Sequence, residues 1–232
     1  MAQLPNGGVR SWLRSRPLTI GACFLAVLLV LGGGSFVIAT TSSGVTPGSD
    51  GGATEGYDVA LVADEDTDPD PLDPETLFDQ DGVEVDETTY SQITTDDTDD
   101  CAAAAHGNYG EVLTNNDCRQ IVRASYLGDE NAVTVGVAAL PSADAAQEAE
   151  RGRDIGDSDW FAGLAGPDDS GTERLEYAGG HTSGATWGRY LVFALASDLD
   201  GGTPTDEAAD LEELSTEFRA LPLTTLGERA DE

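Results

Sequence analysis

The stretch Cys118-Arg119-Gln120-Ile121-Val122-Arg123-Ala124-Ser125-Tyr126-Leu127-Gly128-Asp129-Glu130-Asn131-Ala132-Val133-Thr134-Val135-Gly136-Val137 decides the fold. Gln120, Val122, Ala124 and Tyr126 fall on one side of a period-two pattern, with Ile121 and Leu127 on the other. The residues from Leu127 to Asn131 read as a turn. Val133, Val135 and Val137 then alternate with Thr134 and Gly136, the pattern of a half-buried strand. Two such runs across a short loop make an antiparallel hairpin.

Downstream of this hairpin, Ser142 is placed to cap a helix running to about Arg153, with Asp144 favourably set in its first turn. Trp160, Phe161 and Leu164 form an apolar knot that reads as core plugs. A second hairpin is expected from residues 174–178 and 188–196, joined by the loop Gly179-Gly180-His181-Thr182-Ser183-Gly184. Its second strand, Tyr190-Leu191-Val192-Phe193-Ala194-Leu195, is apolar on both sides and belongs at the centre of a sheet. Thr203 and Pro204 open a last helix, in which Ala208, Leu211, Leu214, Phe218 and Leu221 recur at helical spacing. Pro222 is expected to end it. With a strand near residues 83–89, the order implies an α+β domain: an antiparallel sheet of two hairpins with helices covering one face.

The three cysteines divide by position. Cys23 lies in an apolar stretch, which leaves Cys101 and Cys118 to form a disulfide, with two free thiols as the alternative. Such a bridge contributes about 3 kcal/mol in the chain-entropy view and implies an oxidising compartment. A straight helix over residues 102–114 would be about 20 Å long. The cysteine Cα atoms must come within roughly 7 Å of each other. Cys101 must therefore lie on a bend, or Gly107 and Gly110 must interrupt the helix, and a broken helix that folds back is expected. Two cysteines and two histidines in this part of the chain show no zinc-ligand spacing.

Upstream, residues 18–39 carry no charge, and about 20 such residues span a bilayer core. Arg10, Arg14 and Arg16 precede them and no acid follows until Asp50, so the N-terminus is expected on the cytoplasmic side. A cleaved signal peptide is the rival reading, but its apolar core would be shorter. Ile20-Gly21-Ala22-Cys23 has the look of a lipobox, except that the apolar run follows the cysteine rather than preceding it. The expected organisation is a cytoplasmic tail (1–17), a membrane helix (18–40), a disordered acidic linker (41–74), an extracytoplasmic domain (75–225) and a short tail (226–232).

The linker reading rests on charge and proline. Residues 41–100 hold 19 acids and no Arg or Lys, and such segments rarely bury enough apolar surface to order themselves. Asp64, Asp66, Asp68 and Glu75 fall at positions 1, 3, 5 and 12 of a calcium-loop template. Pro69 stands where the template needs glycine, however, and the segment reads as a stalk. The whole chain has a net charge of −33 and no Lys, which argues against a nucleic-acid partner.

Cys101, the run Cys118 to Tyr126, Val133-Thr134-Val135-Gly136-Val137 and Gly188-Arg189-Tyr190-Leu191-Val192 together resemble uncharacterised single-pass membrane proteins of actinobacteria with an extracytoplasmic domain. The likeness covers roughly residues 75–221. It implies a compartment and a common fold, and carries no activity or functional residue with it.

His106 and His181 are the two side chains able to act as bases near neutral pH. His181-Thr182-Ser183-Gly184 supplies no strained nucleophile elbow, and His181 is expected in a solvated loop. Arg119 and Arg123, four residues apart on one strand face, are candidates for holding an anionic ligand. No cofactor or metal motif emerges. The expected function is a non-enzymatic, membrane-anchored interaction or ligand-sensing domain. Its partners would be the lipid bilayer and an envelope protein, with ligand contacts at Arg119, Arg123 and His181. An envelope enzyme is the alternative. The short inner tail implies that any signal passes through a second membrane protein.

Overall fold

The computed structural model describes residues 57–154, 156, 158–199, 202 and 209–230. The expected tail, membrane helix, first part of the linker and Thr203-Pro204 helix start lie outside these. Among the described residues no helix is long and apolar enough to cross a membrane.

Six strands form one antiparallel sheet: β1 (Gly82–Val85), β2 (Thr88–Thr98), β3 (Gln120–Leu127), β4 (Asn131–Ala139), β5 (His181–Trp187) and β6 (Tyr190–Asp198), in the spatial order β1-β2-β3-β4-β6-β5. Its helices are α1 (Pro74–Leu77), α2 (Tyr109–Asn115), α3 (Ala143–Arg151) and α4 (Ala209–Arg229). The fold is α+β, as expected, with three hairpins rather than two. The β3–β4 hairpin pairs Val122 with Val137 and Ala124 with Val135. Ser142 caps α3 by accepting the Ala145 N–H at 3.2 Å.

The second hairpin departs from its expected register. Residues 174–178 form no strand but a loop with a short 3-10 turn at Leu175–Tyr177, and the glycine-rich segment expected as the loop begins strand β5. The turn is the two-residue Gly188-Arg189, between the paired Trp187 and Tyr190. Gly188 has φ +56, the left-handed region that such a turn demands and glycine adopts without strain. The expected strand at residues 83–89 likewise spans a turn: Asp86, at φ 53, bends the chain between Val85 and Thr88, which pair across it.

The sheet is buried on both faces, so the expectation of helices on one face is corrected. Leu211, Leu214 and Phe218 of α4, joined by Leu223 and Leu226, pack against Val122, Ala124, Val135 and Val192. On the opposite face Tyr109 and Leu113 of α2, Ala146 and Ala149 of α3, and Phe161 cover Ile121, Leu191 and Phe193. Gly136 lets the Phe193 ring lie against its backbone, since a Cβ there would come within 2.4 Å of the ring. Phe161 stacks on the far side of that ring at a centroid distance of 3.6 Å.

Helix α4 runs through Pro222 instead of ending there. A proline inside a helix costs about 3 kcal/mol. Burial of Leu223 and Leu226 beyond it contributes about 1.5–3 kcal/mol for each side chain and outweighs that cost. Residues 226–230 are therefore part of the fold, not a tail.

The disulfide Cys101–Cys118 is formed, with Cα atoms 6.2 Å apart. The chain between folds back as expected: a 3-10 turn at Cys101–Ala104, a left-handed Gly107 at φ +58, then α2.

Candidate functional site

Residues 57–73, read from sequence as disordered linker, are folded against the domain as an arm. Val62 is fully buried and Leu72 nearly so. Burying these two side chains contributes about 3–6 kcal/mol toward offsetting the ordering entropy, and hydrogen bonds and an ion cluster add to it. The Tyr57 ring meets Trp187 edge-on at 6.4 Å. Backbone bonds continue the seam: Glu65 N–H donates to Pro141 O at 3.0 Å, Ala143 N–H to Ala63 O at 2.7 Å, and Arg189 N–H to Val62 O at 2.8 Å.

The acids of the calcium-loop template diverge. The Asp64 carboxylate accepts the Thr67 N–H at 2.9 Å and the Asp66 N–H at 3.0 Å, and these bonds hold its pKa below the ordinary value, that to Thr67 foremost. Asp68 turns inward, where Tyr190 Oη, Arg229 Nη2 and, at 3.4 Å, Arg189 Nε donate to its carboxylate. Arg189 also donates to Leu140 O at 3.0 Å. Among the described residues, no group of three or more His, Cys, Asp or Glu is placed to hold a metal ion.

Between the arm and the ends of β2 and β3 lies a cleft of about 520 Å³. Glu65 and Pro69 of the arm form one wall, Asp97 and Asp99 the other, Arg119 contributes positive charge, and the buried Arg189 also borders it. Arg119 holds Glu65 side-on, Nε to Oε2 at 2.9 Å and Nη2 to Oε1 at 3.1 Å, with about half of each side chain exposed. The pair lowers the Glu65 pKa and raises that of Arg119, in both cases chiefly through these hydrogen bonds. Gln120 ties the walls together. It exchanges two hydrogen bonds with the Leu72 backbone and donates to Asp97 Oδ1 at 2.7 Å. The disulfide frames the same cleft, because Cys101 follows Asp99 by two residues and Cys118 directly precedes Arg119.

The structure separates the three ligand candidates read from sequence. Arg119 stands just before β3, at the cleft. Arg123 does not line it and is almost wholly buried, donating to Asp96 Oδ2 at 2.6 Å and to Ala162 O at 3.1 Å. Its side chain is committed to internal partners. His181 is not in a loop but at the start of the edge strand β5. Its Nδ1 lies 3.2 Å from Ser215 Oγ and its Nε2 lies 4.0 Å from Glu212.

This histidine, serine and acid do not make a nucleophile. Ser215 is fully buried and its hydroxyl donates to Glu212 O at 3.0 Å. His106 bonds Glu176 O at 2.5 Å and packs between the rings of Trp160 and Tyr177.

Sequence reasoning missed Glu65, Asp97, Asp99 and Arg189 as members of one cleft. The glycine before Arg189, directly ahead of the apolar run from Tyr190, was the available signal for a two-residue turn. Nothing local marked the acids, which are diluted among 44 carboxylates. The chain matches no known protein family, and no curated protein or solved structure matches it either.

Proposed function

We propose that this protein is a membrane-anchored, extracytoplasmic ligand-binding domain that works without catalysis, and that the cleft between arm and sheet is its binding site. The observation that carries the reading is the cleft itself. It has the volume of a small-molecule site, charges of both signs on its walls, and walls fixed by a disulfide, a glutamine tie and a buried ion cluster. The uncharged residues 18–39 supply the anchor, and the disulfide fits a domain kept outside the cytoplasm.

Placement is tested by fusing a peroxidase after Glu232 and labelling intact cells with a membrane-impermeant phenol. Neighbour labelling is expected, and a well-expressed fusion that labels nothing overturns the extracytoplasmic placement. An envelope protein enriched over a tethered control would identify the partner through which binding is passed on.

A further inference from the structure

We infer that the cleft binds small zwitterions, meaning amino acids or short peptides with free ends, and that Glu65 occupies the carboxylate position until such a ligand displaces it. This rests on the ligand-binding reading above and adds the ligand class and the group that neutralises Arg119 until a ligand arrives.

The argument begins with charge. Among the lining residues Arg119 carries a half-exposed guanidinium and Glu65, Asp97 and Asp99 carry carboxylates, while the Arg189 side chain is buried against Asp68. A ligand that is only anionic would face the carboxylates of both walls. A ligand that is only cationic would face Arg119 and leave Glu65 in place. A ligand carrying both charges complements both sets of groups.

The geometry assigns its two ends. Arg119 presents Nε and Nη2 side by side, and Glu65 already fills that edge with both oxygens, so the position is one in which a carboxylate binds bidentately. Among the described residues no second side chain donates to Glu65. Both partners are half exposed, a setting in which ion pairs are weak and exchangeable. A ligand carboxylate can therefore take its place.

The ammonium end belongs at the opposite wall. Asp97 is oriented by the Gln120 amide at 2.7 Å through one oxygen, and Asp99 stands two residues further along. Arg189 is almost wholly buried and already paired with Asp68 and the Leu140 carbonyl, so of the two lining arginines it is Arg119 that can take a ligand carboxylate.

The test uses the full-length protein in lipid nanodiscs, with glycine, diglycine and triglycine as probes. This series varies the separation of the charges without adding side chains. Triglycine with an acetylated amine or an amidated carboxyl serves as control, and thermal unfolding is the readout. At least one free-ended member, at tens of millimolar, is expected to raise the midpoint by a few degrees, and neither capped peptide should. Glu65→Gln is expected to tighten binding several-fold, because the internal competitor loses its charge. Arg119→Gln is expected to abolish the shift.

No shift with any member in either the wild type or Glu65→Gln would overturn the inference. Equal shifts from capped peptides that still require Arg119 would overturn the ligand class and leave the binding site standing. Shifts unaffected by Arg119→Gln would remove the cleft itself.

Discussion

The arm offers two carboxylates to arginines, and it does so in opposite surroundings. Asp68 is buried beneath Arg189, Tyr190 and Arg229, where the β5–β6 hairpin and α4, both distant from it in sequence, converge on one side chain. Glu65, three residues earlier, meets Arg119 at the lip of a cleft with about half of each side chain in water. The pairs look alike as chemistry and differ as physics. Charges withdrawn from water must keep every partner, since a lone buried charge is costly. A solvated pair can open and be replaced by another ligand at little cost. The inner pair therefore fastens the arm, and the outer one is free to serve binding.

The contrast breaks most visibly at its inner end. Asp68→Ala leaves two arginines and a tyrosine without their shared acceptor, and should destabilise the protein by roughly 3 to 5 kcal/mol, read from the denaturant midpoint. If the loss were no larger than for Glu65→Gln, the distinction between the two sites would be wrong.

Replacing both Cys101 and Cys118 by alanine should cost about 3 kcal/mol, because the bridge closes a loop of 17 residues. The same variant should weaken binding in the cleft, whose Arg119 and Asp99 flank the bridge.

The inner cluster also sets an alkaline limit. Burial first, and then the hydrogen bond to Asp68, push the Tyr190 hydroxyl up to about 12. A raised pKa means that the folded state holds the proton more tightly. The associated stability is complete below the ordinary tyrosine value near 10, and about 2 to 3 kcal/mol of it is lost as pH climbs toward the folded value. Tyr90, Tyr109 and Tyr126 are raised by burial as well. The measurement is accordingly the difference between wild type and Tyr190→Phe, which should show a shallower decline between pH 10 and 12.

The smallest effect is expected at the outer end. Glu65→Gln should leave the denaturation midpoint at neutral pH unchanged within error while altering ligand affinity. Arg119 holds the Glu65 carboxyl below its ordinary pKa. Any contribution of the pair is thus present above the ordinary glutamate value and disappears as pH falls through the carboxylate range. A large drop in midpoint for this variant would place Glu65 with Asp68 as a fastener.

The β3–β4 hairpin was legible because Val122, Val133, Val135 and Val137 state their period locally. The β5–β6 hairpin was not. Its strand His181-Thr182-Ser183-Gly184 is polar and glycine-rich, and it is held by pairing with Ala194 and Ala196 and by Ser183 donating to Ser215 O at 2.8 Å. None of those partners is near it in sequence. The arm was misread for a related reason. Charge density predicts disorder when apolar anchors are few, but here Val62 and Leu72 are joined by backbone bonds and the Asp68 cluster on a finished surface. Arg123 was offered as a ligand contact from its face alone, whereas Asp96 and the Ala162 carbonyl, contributed by other segments, claim it.

By itself the sequence determined the α+β class, the central hairpin, the disulfide and the cap of α3, since each depends on residue types within a few positions or on the only available cysteine pair. Tertiary structure decided which acids are buried, that Pro222 lies inside a helix, and that Glu65, Asp97, Arg119 and Arg189 face one cleft. Those outcomes depend on the burial and desolvation of groups brought together from up to 161 positions apart (68 to 229), and no local pattern encodes them.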